Sequence, residues 1–220
     1  RRDSEGNLTW DPTCGVTTPL NAESRFARGF NVMFGDPENT QWRTVDGLFR
    51  ADYLWQIGKV GIDSQAGWIA FNQGAQGVAM VETFVVDPDA EYPDSGATVE
   101  CWTVGTGRVA NLNYAESDIY LMEAEVLSPL HTIAPGGEAS FALEWAACHC
   151  TGAVVDVRPA GCWAAPPQAL WKGDAVYLRG SAGVFDGGEL VADWGDESVS
   201  LGRVGPLTPL TIDQRLPVPQ

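Results

Sequence analysis

Glu123 and Glu125 are the residues of this chain whose type and spacing first suggest chemistry. They alternate with Met122, Ala124 and Val126, so on an extended strand both carboxylates share one face, about 7 Å apart. Paired carboxylates bind calcium or act as acid and base. They also form the solvated face of an amphipathic strand, and alternation alone leaves both readings open. Glu82 shares its strand face with Val78, Met80, Phe84 and Val86. A carboxylate on the wall of an apolar cavity has a raised pKa and suits a general base. The other reading is a solvent-facing glutamate opposite a core face of Ala79, Val81 and Val85. Asp87, Asp89, Glu91 and Asp94 form an acidic loop. Its alternating oxygen ligands suit calcium, although it lacks the glycine and terminal glutamate of an EF-hand; a plain hairpin loop is the alternative.

A second set of side chains suits a sugar. The flat apolar faces of Trp55, Trp68, Trp102 and Tyr92 match the C–H face of a pyranose. Arg50, Lys59 and Arg108 offer donors to hydroxyls or to a uronate carboxylate. In a β-sandwich most aromatics are core, so one or two of these rings are expected in a site. His131 is one of only two histidines and lies in the turn before Pro135-Gly136. Cys148-His149-Cys150 is the one local cluster of soft ligands. On a strand its two sulfurs face one way and the imidazole the other, which disfavours convergence on a metal. Disulfides among Cys148, Cys150, Cys162 and Cys101 are the expectation instead, and these belong outside the cytosol. With five cysteines, at least one stays free or pairs between chains.

The elements that must position these residues are strands. The runs Leu48–Val60, Gly67–Asn72, Val78–Val86, Thr98–Val104, Ile119–Leu127 and Ala139–Ala147 read as strands separated by Asp/Pro/Gly-rich loops. In the last of them Phe141, Leu143 and Trp145 share one face, and Ser140 and Glu144 the other. No amphipathic helix longer than about ten residues is evident, and strands in series without helices argue for a large antiparallel sandwich. Residues 1–44 read as loops with one or two short strands, such as Arg28–Phe34. Beyond Cys150 the prolines at 159, 166 and 167 interrupt the chain. Short strands then follow at Ala169–Trp171, Val176–Arg179, Gly183–Phe185, Glu189–Trp194 and Ser198–Leu201, ahead of a proline-punctuated tail. The expectation is an all-β sandwich over 1–150 and a small β module over 151–220, marginal alone at that length.

Composition bounds the function. The 220 residues carry a net charge of −16, with 13 basic and 29 acidic side chains. That balance argues against nucleic acid and against anionic membrane surfaces. No stretch is long and apolar enough to span a membrane as a helix. No glycine-rich phosphate loop and no Ser-His-Asp order is legible.

The run Glu125-Val-Leu-Ser-Pro-Leu-His-Thr-Ile-Ala-Pro-Gly-Gly-Glu-Ala-Ser-Phe-Ala-Leu-Glu-Trp145 resembles the closing strands of galactose-mutarotase-like proteins. In those a proline-glycine-glutamate turn feeds the last long strand of a β-supersandwich. The run Met80-Val-Glu-Thr-Phe-Val-Val-Asp-Pro-Asp-Ala-Glu-Tyr-Pro-Asp94 looks like the acidic strand before it, and Gly67-Trp-Ile-Ala-Phe71 fits as well. Residues of about 45–147 carry the resemblance. The family's Asn-His-Thr-Tyr-Phe-Asn motif is absent; Asn111-Leu-Asn-Tyr114 is a partial echo. The supersandwich has more strands than precede residue 45, which implies the C-terminal part of a longer protein.

The resemblance implies an exported bacterial protein that binds or acts on carbohydrate. Glu82 would be the base and His131 the acid. Trp68, Trp102, Tyr92, Lys59 and Arg108 would line the sugar site, with no cofactor required beyond possible calcium at the acidic loop. The alternative expectation is a non-catalytic extracellular assembly subunit, homo-oligomeric or with a partner chain on an exposed edge strand.

Overall fold

The computed structural model describes residues 2–109, 112–113, 118–173, 175–194 and 196–216. The chain divides into two compact units, residues 1–75 with 81–145, and residues 76–80 with 146–220. The division therefore falls at 145/146 rather than at 150, and a short piece around residue 78 belongs with the C-terminal unit.

The strands of the first part are β1 (Cys14–Pro19), β2 (Asn31–Gly35), β3 (Trp42–Val45), β4 (Leu48–Asp52), β5 (Gly58–Ile62), β6 (Trp68–Gln73) and β7 (Val78–Phe84). After the helical turn α1 (Pro93–Gly96) come β8 (Val99–Val104), β9 (Arg108–Val109), β10 (Leu112–Asn113), β11 (Leu121–Val126) and β12 (Leu143–His149). They form a six-stranded sheet in the order β12-β7-β6-β1-β4-β3 and a four-stranded sheet in the order β11-β8-β5-β2. β9 and β10 make a separate two-stranded ribbon. All register pairs recorded between these strands are antiparallel. The all-β, sandwich-like architecture expected from strand periodicity is what the chain adopts.

Alternation explains how the two sheets share a core. Val16, Phe49, Ala51 and Ile69 of the larger sheet meet Val60, Ile62, Val99 and Cys101 of the smaller one, with Trp42, Phe30 and Phe84 filling between. Met122, Ala124 and Val126 pack on that cluster, so Glu123 and Glu125 lie on the opposite face of β11, as alternation requires. Gly58 lets the sheets approach: a Cβ there would sit 2.7 Å from the Trp42 ring. Burying such side chains contributes roughly 1.5–3 kcal/mol each, which makes this core the main source of stability.

Three local expectations need correction. The run 48–60 is two strands, because Trp55 adopts a left-handed backbone (φ 55°) that no strand can continue through. Trp145 is 69 % exposed, and Leu143 is 42 % exposed. β12 begins only at Leu143, so Phe141, which packs on Phe84, lies outside the strand and its period does not carry forward.

In the second unit β13 (Asp156–Arg158), β14 (Gly161–Lys172), β15 (Ala175–Val184) and β18 (Leu210–Leu216) form a four-stranded antiparallel sheet, and β16 (Gly188–Trp194) pairs with β17 (Glu197–Val204). The expected short strands at 169–171, 176–179 and 183–185 are pieces of one long hairpin. Pro166 and Pro167 do not end β14. They sit where its register with β15 shifts, between Ala165 and Gln168, a position that needs no ladder N–H. The supposed tail contains β18, which pairs along β15 from Val176↔Leu216 to Ala182↔Leu210.

Candidate functional site

The outer face of the four-stranded sheet collects four of the polar and aromatic residues singled out by sequence. Register places Lys59 opposite Trp102, Trp102 opposite Glu123, and Glu100 opposite Glu125. Lys59 Nζ lies 2.6 Å from Glu100 Oε2 and 3.6 Å from Glu125 Oε2. The same ammonium stands 5.5 Å from the Trp102 ring centroid, and Phe34 meets that ring edge-on at 5.2 Å. Glu100 is the residue that sequence reading missed. It is fully buried although it sits on the outward face. Its cover is local: Gly61 opposite it has no side chain, and a Cβ there would be 3.0 Å from Ala97 Cβ and 3.8 Å from Glu100 Oε1.

The turn that caps this cluster is strained. Asp94, Ser95 and Gly96 have φ of 51°, 64° and 94°, three left-handed residues in a row. Arg25 donates to the Ser95 carbonyl at 3.3 Å, and its own N–H donates to Asp63 Oδ2 at 2.9 Å. The turn is thereby anchored from a distant loop, with Asp94 facing the ion pair. Burial, first of all, pushes Glu100 up to about 7; Lys59 opposes the rise, and the Asp94 and Glu125 carboxyls add to it. Burial works against the Lys59 charge, yet Glu100, Glu125 and Asp94 outweigh it and raise the ammonium above its ordinary value. Glu123 is raised by partial burial and by Glu125. Lys59 pairs both carboxylates, while Glu100 Oε1 and Trp102 Nε1 stay buried without a hydrogen-bond partner among the described residues, and Glu100 can exchange a proton near neutrality.

A second site lies elsewhere in the first unit, where the ends of β1, β6 and β11 meet the segment after β4. A cavity of about 230 Å³ is lined by Thr9, Trp10, Asp11, Cys14, Tyr53, Phe71, Gln73, Tyr120, Leu121 and Met122. Its aromatic wall is built in tiers. Trp55 stacks on Tyr120 at 5.1 Å and on Trp10 at 6.3 Å, and Trp10 meets Tyr53 edge-on. Tyr53 is fixed at both lone pair and proton: its hydroxyl donates to the Val104 carbonyl at 2.5 Å and accepts from the Leu121 N–H at 3.0 Å. Burial pushes its phenol up to about 12, so it stays neutral. Asp11 accepts from both the N–H and the hydroxyl of Thr13, which holds the start of β1 at the rim. Burial, with Asp11 next in effect, pushes the Cys14 thiol up to about 11, so it is no nucleophile at neutral pH. The cavity wall thus combines aromatic rings with the polar residues Gln73 and Tyr120.

The other expected site residues are dispersed. Glu82 is half-buried on β7 and raised by that burial, and no hydrogen bond or ion pair joins it to His131, which is exposed in the 127–142 loop. Trp68 is buried, 6 % exposed, on the face of β6 opposite to Ile69 and the inter-sheet core. Tyr92 is 7 % exposed and accepts the Asp87 N–H at 3.0 Å, a structural task. Arg50 pairs with Asp52 at 2.9 Å. The backbone of Arg108 belongs to β9, while its side chain lies outside the described residues, as do Asn111 and Tyr114. In the acidic loop Asp87 accepts the Asp89 N–H, and among the described residues no three His, Cys, Asp or Glu side chains are arranged to hold a metal ion.

All five cysteines are free thiols, so the expected disulfides are not formed. Cys148 and Cys162 nonetheless lie with sulfurs 3.7 Å apart in the second unit. A Cβ at Gly183 would overlap Cys148 Sγ and approach the His149 carbonyl oxygen to 2.8 Å, so only glycine admits the packed sulfurs. Comparison with protein-family profiles, curated proteins and solved structures finds no match to this chain.

Proposed function

We propose that this protein binds carbohydrate and holds a sugar in the cleft of Trp10, Tyr53 and Tyr120. The observation that carries the reading is the wall of that cleft: a cavity of about 230 Å³ where stacked rings stand beside the amide of Gln73 and the hydroxyl of Tyr120. Flat rings match the C–H face of a pyranose, and the polar groups fix its orientation. The resemblance to galactose-mutarotase-like proteins points to the same ligand class and to an exported protein. Binding of this kind needs no cofactor and no catalytic pair, and it leaves Glu82 and His131 without an assigned step.

The test is isothermal titration of the whole protein with neutral mono- and oligosaccharides of galactose, glucose and mannose. Saturable binding that weakens at least tenfold in Trp10→Ala supports the reading. Heat-silent titrations across the panel, or binding indifferent to Trp10→Ala, would overturn it.

A further inference from the structure

The outer edge of β14 is open. β13 covers only Gly161–Trp163 on that side, through Arg158↔Gly161 and Asp156↔Trp163, and no other strand pairs the remainder among the described residues. On its inner side the segment Gln168–Lys172 is paired to β15 throughout, from Gln168↔Arg179 to Lys172↔Ala175. Pro166 and Pro167 have no N–H to offer, so the usable edge is Gln168-Ala-Leu-Trp-Lys172. Native edges are normally covered, bulged or charged against pairing. This one instead presents Trp171 at 65 % exposure and Leu170 at 43 %. Beside it lies a groove of about 390 Å³ lined by Leu170, Trp171, Lys172, Tyr177 and Arg179.

Charge identifies what fits. The chain has 29 acidic residues against 13 basic ones, yet among the described residues this groove is lined by two cations and no acidic side chain. Arg179 is partly engaged by Asp213 at 3.0 Å, whereas Lys172 has no ion-pair partner among the described residues. An unpaired backbone edge gives main-chain hydrogen bonds to an extended chain, and alternate side chains of that chain then reach the groove. We propose that the β14 edge docks an extended acidic peptide of a partner protein as an added strand, with its apolar residues on the face of Trp171 and its carboxylates on the opposite face, beside Lys172 and Arg179. The site is independent of the sugar cleft, and neither reading depends on the other.

The experiment uses the whole protein and a fluorescein-labelled dodecapeptide alternating glutamate with valine, followed by anisotropy up to millimolar protein. Saturable binding is expected. It should weaken at least tenfold in Trp171→Ala and in Lys172→Glu, and on N-methylation of alternate peptide amides, which blocks strand addition. It should also fall with added salt, because the charge pairs are exposed. A lysine–valine peptide should bind at least tenfold less. No saturable binding, binding indifferent to N-methylation or to both substitutions, or preference for the lysine peptide overturns the proposal. Retention of polygalacturonate at this edge in place of the peptide, or concentration-dependent self-association abolished by Trp171→Ala, also overturns it. Both side chains are exposed, so the variants should fold, and unchanged circular dichroism of each checks this.

Discussion

The charged face of the four-stranded sheet and the aromatic cleft are both built partly on β11, yet they handle polar groups in opposite ways. In the first, Lys59, Glu100 and Glu125 turn on one another, and the strained Asp94–Gly96 turn closes over them. In the second, Tyr53 is locked by two hydrogen bonds while Trp10, Tyr120 and Gln73 line an open cavity. The difference teaches where to look for a ligand. A cluster whose charges pair with one another governs stability and its pH dependence; a cavity walled by rings and polar residues is the place to look for a ligand.

The comparison breaks most sharply at Lys59. Lys59→Met leaves Glu100 buried without its counter-charge, and losing one partner of a buried pair costs about 3–5 kcal/mol. That loss is expected in chemical denaturation at pH 8, with a smaller loss at pH 5, where Glu100 is protonated. Sugar affinity should not change, because Lys59 does not line the cleft.

The pH dependence sharpens the same point. Glu100 has its pKa raised in the fold from 4.5 to about 7, so the folded state holds a proton that the unfolded chain releases. The stability this gives is full below about 4.5, is lost as pH rises toward about 7, and changes no further above that. Lys59 stays charged throughout, and Asp94 and Glu125 face Glu100 across this window. Melting temperature followed from pH 4 to 8 should carry this slope in the native protein and lose it in Glu100→Gln.

At the cleft the expected effect is on affinity alone. Trp10→Ala should weaken sugar binding at least tenfold, about 1.4 kcal/mol, while the melting temperature changes by much less than in Lys59→Met. The smallest effect belongs to Glu123, which is half-buried beside Glu125 and makes no ion pair with Lys59. Glu123→Gln should alter stability by less than about 0.5 kcal/mol, measured by denaturant titration; a larger loss would mean that the charged face extends along the whole of β11.

Periodicity made part of this legible. The alternation of Met122, Ala124 and Val126 with Glu123 and Glu125 set the inner and outer faces of β11, and it foretold the sandwich. Lys59 and Trp102 were visible as chemistry-bearing types, but their pairing depends on the β5–β8 register, which no local pattern encodes. Glu100 escaped notice because it alternates with core residues like any outward glutamate. Its burial comes from Gly61 and a left-handed turn anchored by Arg25, some 70 residues away in sequence. The cleft was hidden for the same reason: Trp10, Tyr53, Gln73 and Tyr120 lie on segments far apart in the chain, and residues 1–44 show little periodicity. Trp145 marks the reverse failure, where an apolar period continued past a break and suggested a buried face that is open.

The most direct test of the central claim is intrinsic tryptophan fluorescence during saccharide titration, run side by side on the native protein, Trp10→Ala and Lys59→Met. A saturable change is expected in the native protein and in Lys59→Met, with its loss in Trp10→Ala. A saturable change that survives in Trp10→Ala but vanishes in folded Lys59→Met would contradict it and place the ligand on the charged face.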